Sequence, residues 1–329
     1  MELKVIVGPS CSRSLRNGIR SKIAMLTESD FKLIELQETH FADGAVLVQI
    51  MENIRGADVY IVQSAPPPER NVQVLLQMLQ AASLASAGRV TAVLPYADLR
   101  QDRKDRPRVP ITAQLLAQQI EVAMTAAAQK HVMLFHPHFS QVSGFFRIPT
   151  DILYPTNPFM KKAAQITGGD FSNVQPVAPD VGAAKMAAHY YGRLGTNFYA
   201  IGDKRRNATD QTEIKNIIGW VPGKVAFVYD DIIDTAGSLL AMAVKLRELG
   251  VGKIYVFVTH GILAGRALEN LQKTGVEKVF ITDSISHDDK ESLPDLIEIV
   301  PCGELLGEAI WRNNTNRSIH AIDGMFDRK

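Results

Sequence analysis

Apolar positions in this chain fall into two recurring patterns: short β-branched runs, and longer stretches in which apolar residues return every three or four positions. In the first half the runs are 4–7, 59–62, 90–94 and 132–135, and the periodic stretches are 71–84 and 112–127, rich in Leu, Ala, Gln and Met. Continuous apolar runs suit strands buried on both faces, and the longer period suits helices with one apolar stripe. Their alternation predicts parallel strands joined by crossover helices. The second half repeats the plan, with strands predicted at 174–178, 197–201, 225–229, 254–258 and 279–281 and helices at 183–194 and 236–248. Two prolines and an asparagine interrupt the pattern at 154–158. The expectation is an α/β fold of two units, 1–155 and 156–329, each a mainly parallel sheet flanked by helices. The last twenty or so residues, GEAIWRNNTNRSIHAIDGMF, mix a short helical pattern with polar residues and should pack back onto a domain.

Length agrees, because 329 residues exceed what one hydrophobic core usually organises. Apolar residues at 46% and charged residues at 22% are globular values, so the chain should fold throughout. A net charge of +1 without a basic block argues against a nucleic-acid surface. Cys11 and Cys302 lack metal-ligand spacing and form no disulfide framework. No run reaches membrane-spanning length and the N-terminal apolar stretch is too short for a signal segment, so a cytoplasmic location is expected.

The strongest chemical signal is Val225-Ala-Phe-Val-Tyr-Asp-Asp-Ile-Ile-Asp-Thr-Ala-Gly-Ser238, an apolar strand followed by acids and a small-residue turn that opens a helix. Backbone N–H groups of Thr235, Ala236, Gly237 and Ser238, together with the helix dipole, suit an anion. Asp230 and Asp231 would repel a phosphate but suit sugar hydroxyls or the hydration shell of a magnesium ion. The ordered set points to a phosphorylated sugar. No GxxxxGK[ST] sequence occurs, so a nucleotide would be bound by some route other than a P-loop.

These residues resemble the phosphoribosyl pyrophosphate loop of type I phosphoribosyltransferases and of phosphoribosyl pyrophosphate synthetases. Further segments resemble the synthetases alone: Arg100-Gln-Asp-Arg-Lys-Asp-Arg106, Phe41-Ala-Asp-Gly44, Glu52-Asn-Ile-Arg-Gly56, Gly144-Phe-Phe146, Pro179-Asp-Val-Gly182, Asp203-Lys-Arg-Arg206 and Ala309-Ile-Trp-Arg312. On these residues the chain is identified as resembling the ribose-phosphate diphosphokinase family over nearly its whole length.

The resemblance implies two tandem type I phosphoribosyltransferase-like domains and transfer of pyrophosphate from ATP to the anomeric hydroxyl of ribose 5-phosphate. It implies Lys204 and Arg206 on a mobile loop, and Arg100, as catalytic cations. ATP would be held by Phe41, Asp43, Gly44, Ala45, Arg100, Gln101 and His138, and ribose 5-phosphate by Asp230, Asp231, Asp234, Thr235, Ala236, Gly237 and Ser238. Mg2+ would be served by His138 and Asp180, and homo-oligomers, dimers or hexamers, are expected. Four departures stand out. Ala45 replaces a Glu of the family, His136 replaces an Asp two residues before His138, the segment between Pro95 and Arg100 is one residue short, and Asn207 stands where the family commonly has Pro after the basic triplet. Two other readings fit the same residues: a related pyrophosphokinase acting on another ribose phosphate such as ADP-ribose, and a catalytically weak paralogue that tunes an active subunit.

Overall fold

The computed structural model describes residues 1–104, 106–196, 198–206, 212–289 and 293–322, and for 205, 206, 212 and 213 the backbone alone. In chain order the elements are β1 (Leu3–Val7), α1 (Arg13–Thr27), β2 (Leu36–His40), β3 (Val46–Ile50), β4 (Asp58–Val62), α2 (Arg70–Leu84), β5 (Arg89–Leu94), α3 (Thr112–Ala123), β6 (Gln129–Phe135) and β7 (Thr150–Leu153). They continue with α4 (Thr156–Thr167), β8 (Val174–Ala178), α5 (Ala184–Leu194), β9 (Ala200–Arg206), β10 (Thr212–Ile218), β11 (Val225–Ile233), α6 (Gly237–Glu248), β12 (Ile254–Gly261), α7 (Ala267–Lys273), β13 (Lys278–Thr282), β14 (Ile297–Val300) and α8 (Gly303–Asn314). The chain divides into two compact units, 1–154 with 284–288 and 301–322, and 155–283 with 289–300.

In the first unit five parallel strands lie in the order β1-β4-β5-β6-β7. The crossovers α2 and α3 step in one direction, so their common right-handedness puts both on one face. There they cover Val59, Ile61, Val90, Ala92, Val132 and Leu134. The opposite face, with Val5, Val7, Tyr60, Val62, Met133 and Phe135, packs against α1 and α8.

In α1 the buried residues Leu15, Ile19 and Ile23 recur every fourth position, and the helix is capped by the Ser12 side chain, which accepts from Leu15 N–H at 3.1 Å. Helix α8 contributes Leu305, Leu306, Ala309 and Ile310. It crosses α1 at Gly303, where an added Cβ would lie 2.5 Å from the Leu15 carbonyl oxygen and 2.9 Å from Gly18 Cα. At the far end of α8, Asn314 Nδ2 donates to the buried Asp58 carboxylate at 2.7 Å. Arg89 pairs with the same carboxylate and donates to the Asn313 carbonyl at 3.2 Å, placing a cation at the helix C-terminus. The sequence reading ends the first unit at 155 and has the last twenty or so residues packing back onto a domain; the structure places 301–322 with the first unit, because the first sheet's second face has only α1 among its local helices and α8 completes the cover.

The second unit has seven strands in the order β10-β9-β8-β11-β12-β13-β14, parallel except for β10 against β9. One face holds α6 and α7 over Val177, Val228, Val256 and Val279. The other holds α4 and α5 over a row of aromatic rings in which Tyr190 stacks on Tyr229 at 3.8 Å and Tyr229 on Phe257 at 5.0 Å.

Candidate functional site

From β8 the chain passes to β9 on one side, and β11 lies on the other, so the direction of winding reverses at β8. Ligands of open α/β sheets bind at such a switch point, outside the carboxyl ends of the strands. Here β8 pairs with β11 only as far as Val177↔Val228, whereas β12 follows β11 to Ile233↔Gly261. Asp230 and Asp231 therefore lie within β11, on the part that β8 leaves uncovered. The sequence ended this strand at 229; the continued ladder with β12 carries it four residues further.

Beyond β8, Asp180 Oδ1 accepts from Ala183 N–H at 3.3 Å, fixing the turn into α5. Its Oδ2 accepts from Lys204 Nζ at 3.0 Å, with side-chain exposures of 32% and 26%. Lys204 reaches this position because Gly202 lets β9 pass close to the loop after β8: a Cβ there would lie 2.5 Å from the Pro179 carbonyl oxygen and from Met242 Cε. Lys204 was expected in a loop. It lies instead on β9, paired with Ile214 of β10, because the apolar residues of 212–218 give the charged triplet an antiparallel partner. The backbone of Arg206 belongs to the same strand, and its side chain lies outside the described residues.

Burial raises the Asp230 carboxyl pKa well above its ordinary value, aided by the neighbouring charges of Asp231 and Asp180. A strand end that carries Asp230 and Asp231 within electrostatic reach of Asp180, itself paired with Lys204, is costly for the empty protein and suited to a ligand rich in hydroxyls and cations.

The turn 234–238 follows directly. Ala236 has φ 61°, the left-handed conformation, and α6 begins at Gly237 without a side-chain cap or an acidic residue in its first turn. The first N–H groups of a helix have no intrahelical acceptor, and with the dipole they favour an anion. Asp234, Thr235, Ala236, Gly237 and Ser238 thus sit together, next in sequence to Asp230 and Asp231, as the spacing predicts.

The remaining candidates lie in the first unit. Phe41, Asp43, Gly44 and Ala45 form the tip of the β2–β3 hairpin, a separate two-stranded sheet. Phe41 N–H donates to the Ala45 carbonyl at 3.0 Å, and Gly44 takes φ 89°. Asp43 Oδ1 accepts from Ala45 N–H at 3.0 Å, so one carboxylate oxygen already serves the turn. Phe41 is 49% exposed, an unusual degree for a large apolar residue.

Arg100 follows β5 and donates through Nε to Asp98 Oδ1 at 2.8 Å, a partner that no sequence motif signalled. The Gln101 carbonyl accepts from Ala113 N–H at 3.2 Å at the start of α3. His138 follows β6, the strand adjacent to β5. Two residues earlier, His136 is buried, takes φ 43° and meets the Tyr154 ring edge-on at 5.2 Å. Histidine is among the few non-glycine residues enriched in that conformation.

The two candidate metal ligands, His138 and Asp180, belong to different units. Among the described residues no three His, Cys, Asp or Glu side chains form a ready cage. The donor chemistry around Asp180 and Asp230 is nonetheless hard carboxylate oxygen, which fits Mg2+, an ion that retains several waters and needs only one or two carboxylates beside substrate phosphates.

Two tandem α/β units, one with an uncapped helix start and paired aspartates at a switch point, define a protein of the doubly wound α/β class. Residues 4–123 match the family model described as the N-terminal domain of ribose phosphate pyrophosphokinase, and 206–323 match the phosphoribosyl synthetase-associated domain. The ribose-phosphate pyrophosphokinase of Chlorobaculum tepidum is 40% identical over 90% of this chain and 88% of its own length. That of Thermotoga maritima is 36% identical over 98% of both chains. The crystal structure of phosphoribosylpyrophosphate synthetase from Mycobacterium smegmatis superposes with a TM-score of 0.82 at 26% identity, covering 96% of this chain and 100% of that one. The chain belongs to the ribose-phosphate pyrophosphokinase family.

Proposed function

We propose that this protein transfers pyrophosphate from ATP to the anomeric hydroxyl of ribose 5-phosphate, giving 5-phosphoribosyl 1-pyrophosphate and AMP. Membership of the family over nearly the whole chain supports the reaction, and the observation that carries its location is the turn 234–238 directly after Asp230 and Asp231. The 5-phosphate is received by the N–H groups and hydroxyls of Thr235, Ala236, Gly237 and Ser238. Asp230 and Asp231 accept hydrogen bonds from ribose hydroxyls and orient the anomeric oxygen.

Attack on the β-phosphorus spreads negative charge over the transferred oxygens, which Lys204, Arg206 and Arg100 neutralise. Phe41 stacks on adenine, while Asp43, Gly44, Ala45, Gln101 and His138 complete the ATP contacts. Asp180 and His138 serve Mg2+, which when bound supplies charge neutralisation to the phosphates. The neutralising lysine sits 3.0 Å from Asp180 and changes partner when phosphate arrives. A cytoplasmic location belongs to the same proposal; no described helix is long and apolar enough to cross a membrane. Assembly as a homo-oligomer belongs to the same proposal.

The test is AMP formation from Mg2+, ATP and ribose 5-phosphate, with ADP-ribose as a parallel acceptor and Lys204→Ala as control. Loss of one transition-state donor costs about 3 kcal/mol, so the variant should turn over about a hundred-fold more slowly. An ion pair this exposed contributes less than about 1 kcal/mol to folding, so its unfolding temperature should hardly move. AMP formed with ADP-ribose alone, or with neither acceptor, would overturn the proposal.

A further inference from the structure

We propose that Asn270 is a positioning residue for ribose 5-phosphate, acting through the peptide plane between Thr235 and Ala236. The proposal rests on the reading of 234–238 as the sugar-phosphate turn. Ala236 adopts φ 61°, a conformation in which its Cβ crowds the backbone, and such a residue persists only where its surroundings determine it.

Hydrogen bonds to three successive carbonyls hold the turn. The Asp234 carbonyl accepts from Ala264 N–H at 2.9 Å, and the Ala236 carbonyl accepts from Leu240 N–H at 2.9 Å inside α6. Between them, the Thr235 carbonyl accepts from Asn270 Nδ2 at 2.9 Å. The first two bonds are made by backbone and would form with any side chains. The third depends on one side chain, reaching in from α7 across 35 positions of sequence.

Its geometry has a functional consequence. In a planar trans peptide the carbonyl and the following N–H point in opposite directions. Holding the Thr235 carbonyl toward α7 therefore turns Ala236 N–H away from α7. Without that hold the plane can rotate, and rotation lets Ala236 leave its crowded conformation at the cost of removing one donor from the turn. Asn270 thus acts on the acceptor sugar's phosphate without touching it. A carbonyl oxygen can only accept, so the amide nitrogen of Asn270 must face it, and Asp at this position would set oxygen against oxygen.

The experiment compares wild-type protein with Asn270→Ala and Asn270→Asp. Initial rates of AMP formation are measured while ribose 5-phosphate and ATP are varied separately, and unfolding temperatures are recorded alongside. Losing one hydrogen bond that orients a donor should raise KM for ribose 5-phosphate about five- to ten-fold, with Asp no better than Ala. KM for ATP and the unfolding temperature should stay close to wild type. An unchanged KM for ribose 5-phosphate overturns the proposal, as does a parallel loss of kcat, both KM values and thermal stability, which marks a purely structural role.

A second arm keeps the inference separable from the proposed reaction. Amide hydrogen exchange across 234–238 is followed with and without ribose 5-phosphate, and with inorganic phosphate. If wild-type protein makes no AMP, the proposed function fails. Asn270 is then judged on exchange alone: faster exchange at Ala236 in both variants supports it, and exchange equal to wild type overturns it.

Discussion

Replacing Gly303 by Ala tests the argument that α8 is an integral part of the first unit. A Cβ at this position would lie 2.5 Å from the Leu15 carbonyl oxygen, 2.9 Å from Gly18 Cα and 3.1 Å from Ile19 N, all backbone atoms of α1 that no rotamer change can move aside. Ordinary carbon–oxygen contacts begin at about 3.3 Å, so α8 must retreat by close to 1 Å. That separation loosens Leu305, Leu306 and Ile310, buried to 7%, 1% and 0% exposure. Overpacking of this kind costs about 1–3 kcal/mol, less a few tenths for the better helix propensity of Ala. A net loss of about 2 kcal/mol lowers the unfolding temperature of a unit this size by roughly 4–8 °C.

Trp311 lies on α8 and Trp220 in the second unit, and these are the two tryptophans of the chain. In a Trp220→Phe background, Trp311 fluorescence therefore reports the unit in question. Gly192→Ala is the control, at an exposed position of α5 where an added Cβ meets nothing within 4 Å; because α5 belongs to the second unit it is followed through Trp220 in a Trp311→Phe background, and it should stabilise by about 0.5–1 kcal/mol. If Gly303→Ala unfolds at or above the wild-type temperature, the close crossing of α1 and α8 does not matter as argued.

The same crossing should respond to pH through Glu308. Burial works against its ionisation, but hydrogen bonds and charge from Lys22 at 3.1 Å and Arg312 at 2.9 Å outweigh it and hold the carboxyl below its usual range. A folded-state pKa below the unfolded one gives stability that is present above the unfolded value and is lost as pH falls through the folded one. Glu308→Gln should therefore cost about 1 kcal/mol at neutral pH, with the gap closing in denaturant titrations below about pH 4; a gap independent of pH would refute this. A chain ending at Val300 removes the share of the cover that α8 gives the face of Val5, Val7, Tyr60, Val62, Met133 and Phe135, leaving α1 alone on it, and should bind a hydrophobic dye and aggregate, whereas a soluble, cooperatively unfolding product would contradict the cover assigned to α8.

What sequence alone determined is the local grammar. Strands buried on both faces read as apolar runs, so β1, β4, β5, β6, β8, β12 and β13 are legible within a few residues. The turn 234–238 is legible because anion binding at a helix start needs small residues and N–H groups that are adjacent in sequence. Arg100 was named as a candidate through family resemblance, and Phe41 through that resemblance together with its place as a large apolar residue in a polar loop.

Tertiary structure decided the features whose partners are distant. The hairpin β9–β10 turns Lys204 from a loop residue into a strand residue, and only the ladder to Ile214 specifies it. Asp230 and Asp231 belong to the strand because β12 continues beside them after β8 has stopped. Asn270 reads as an ordinary helix position until its amide is seen on the Thr235 carbonyl. The destination of α8 follows from the handedness of the crossovers, which leaves one face of the first sheet in need of a helix. An amphipathic pattern states that a helix has an apolar face to bury, and the sheet that buries it is chosen by geometry summed over the whole fold.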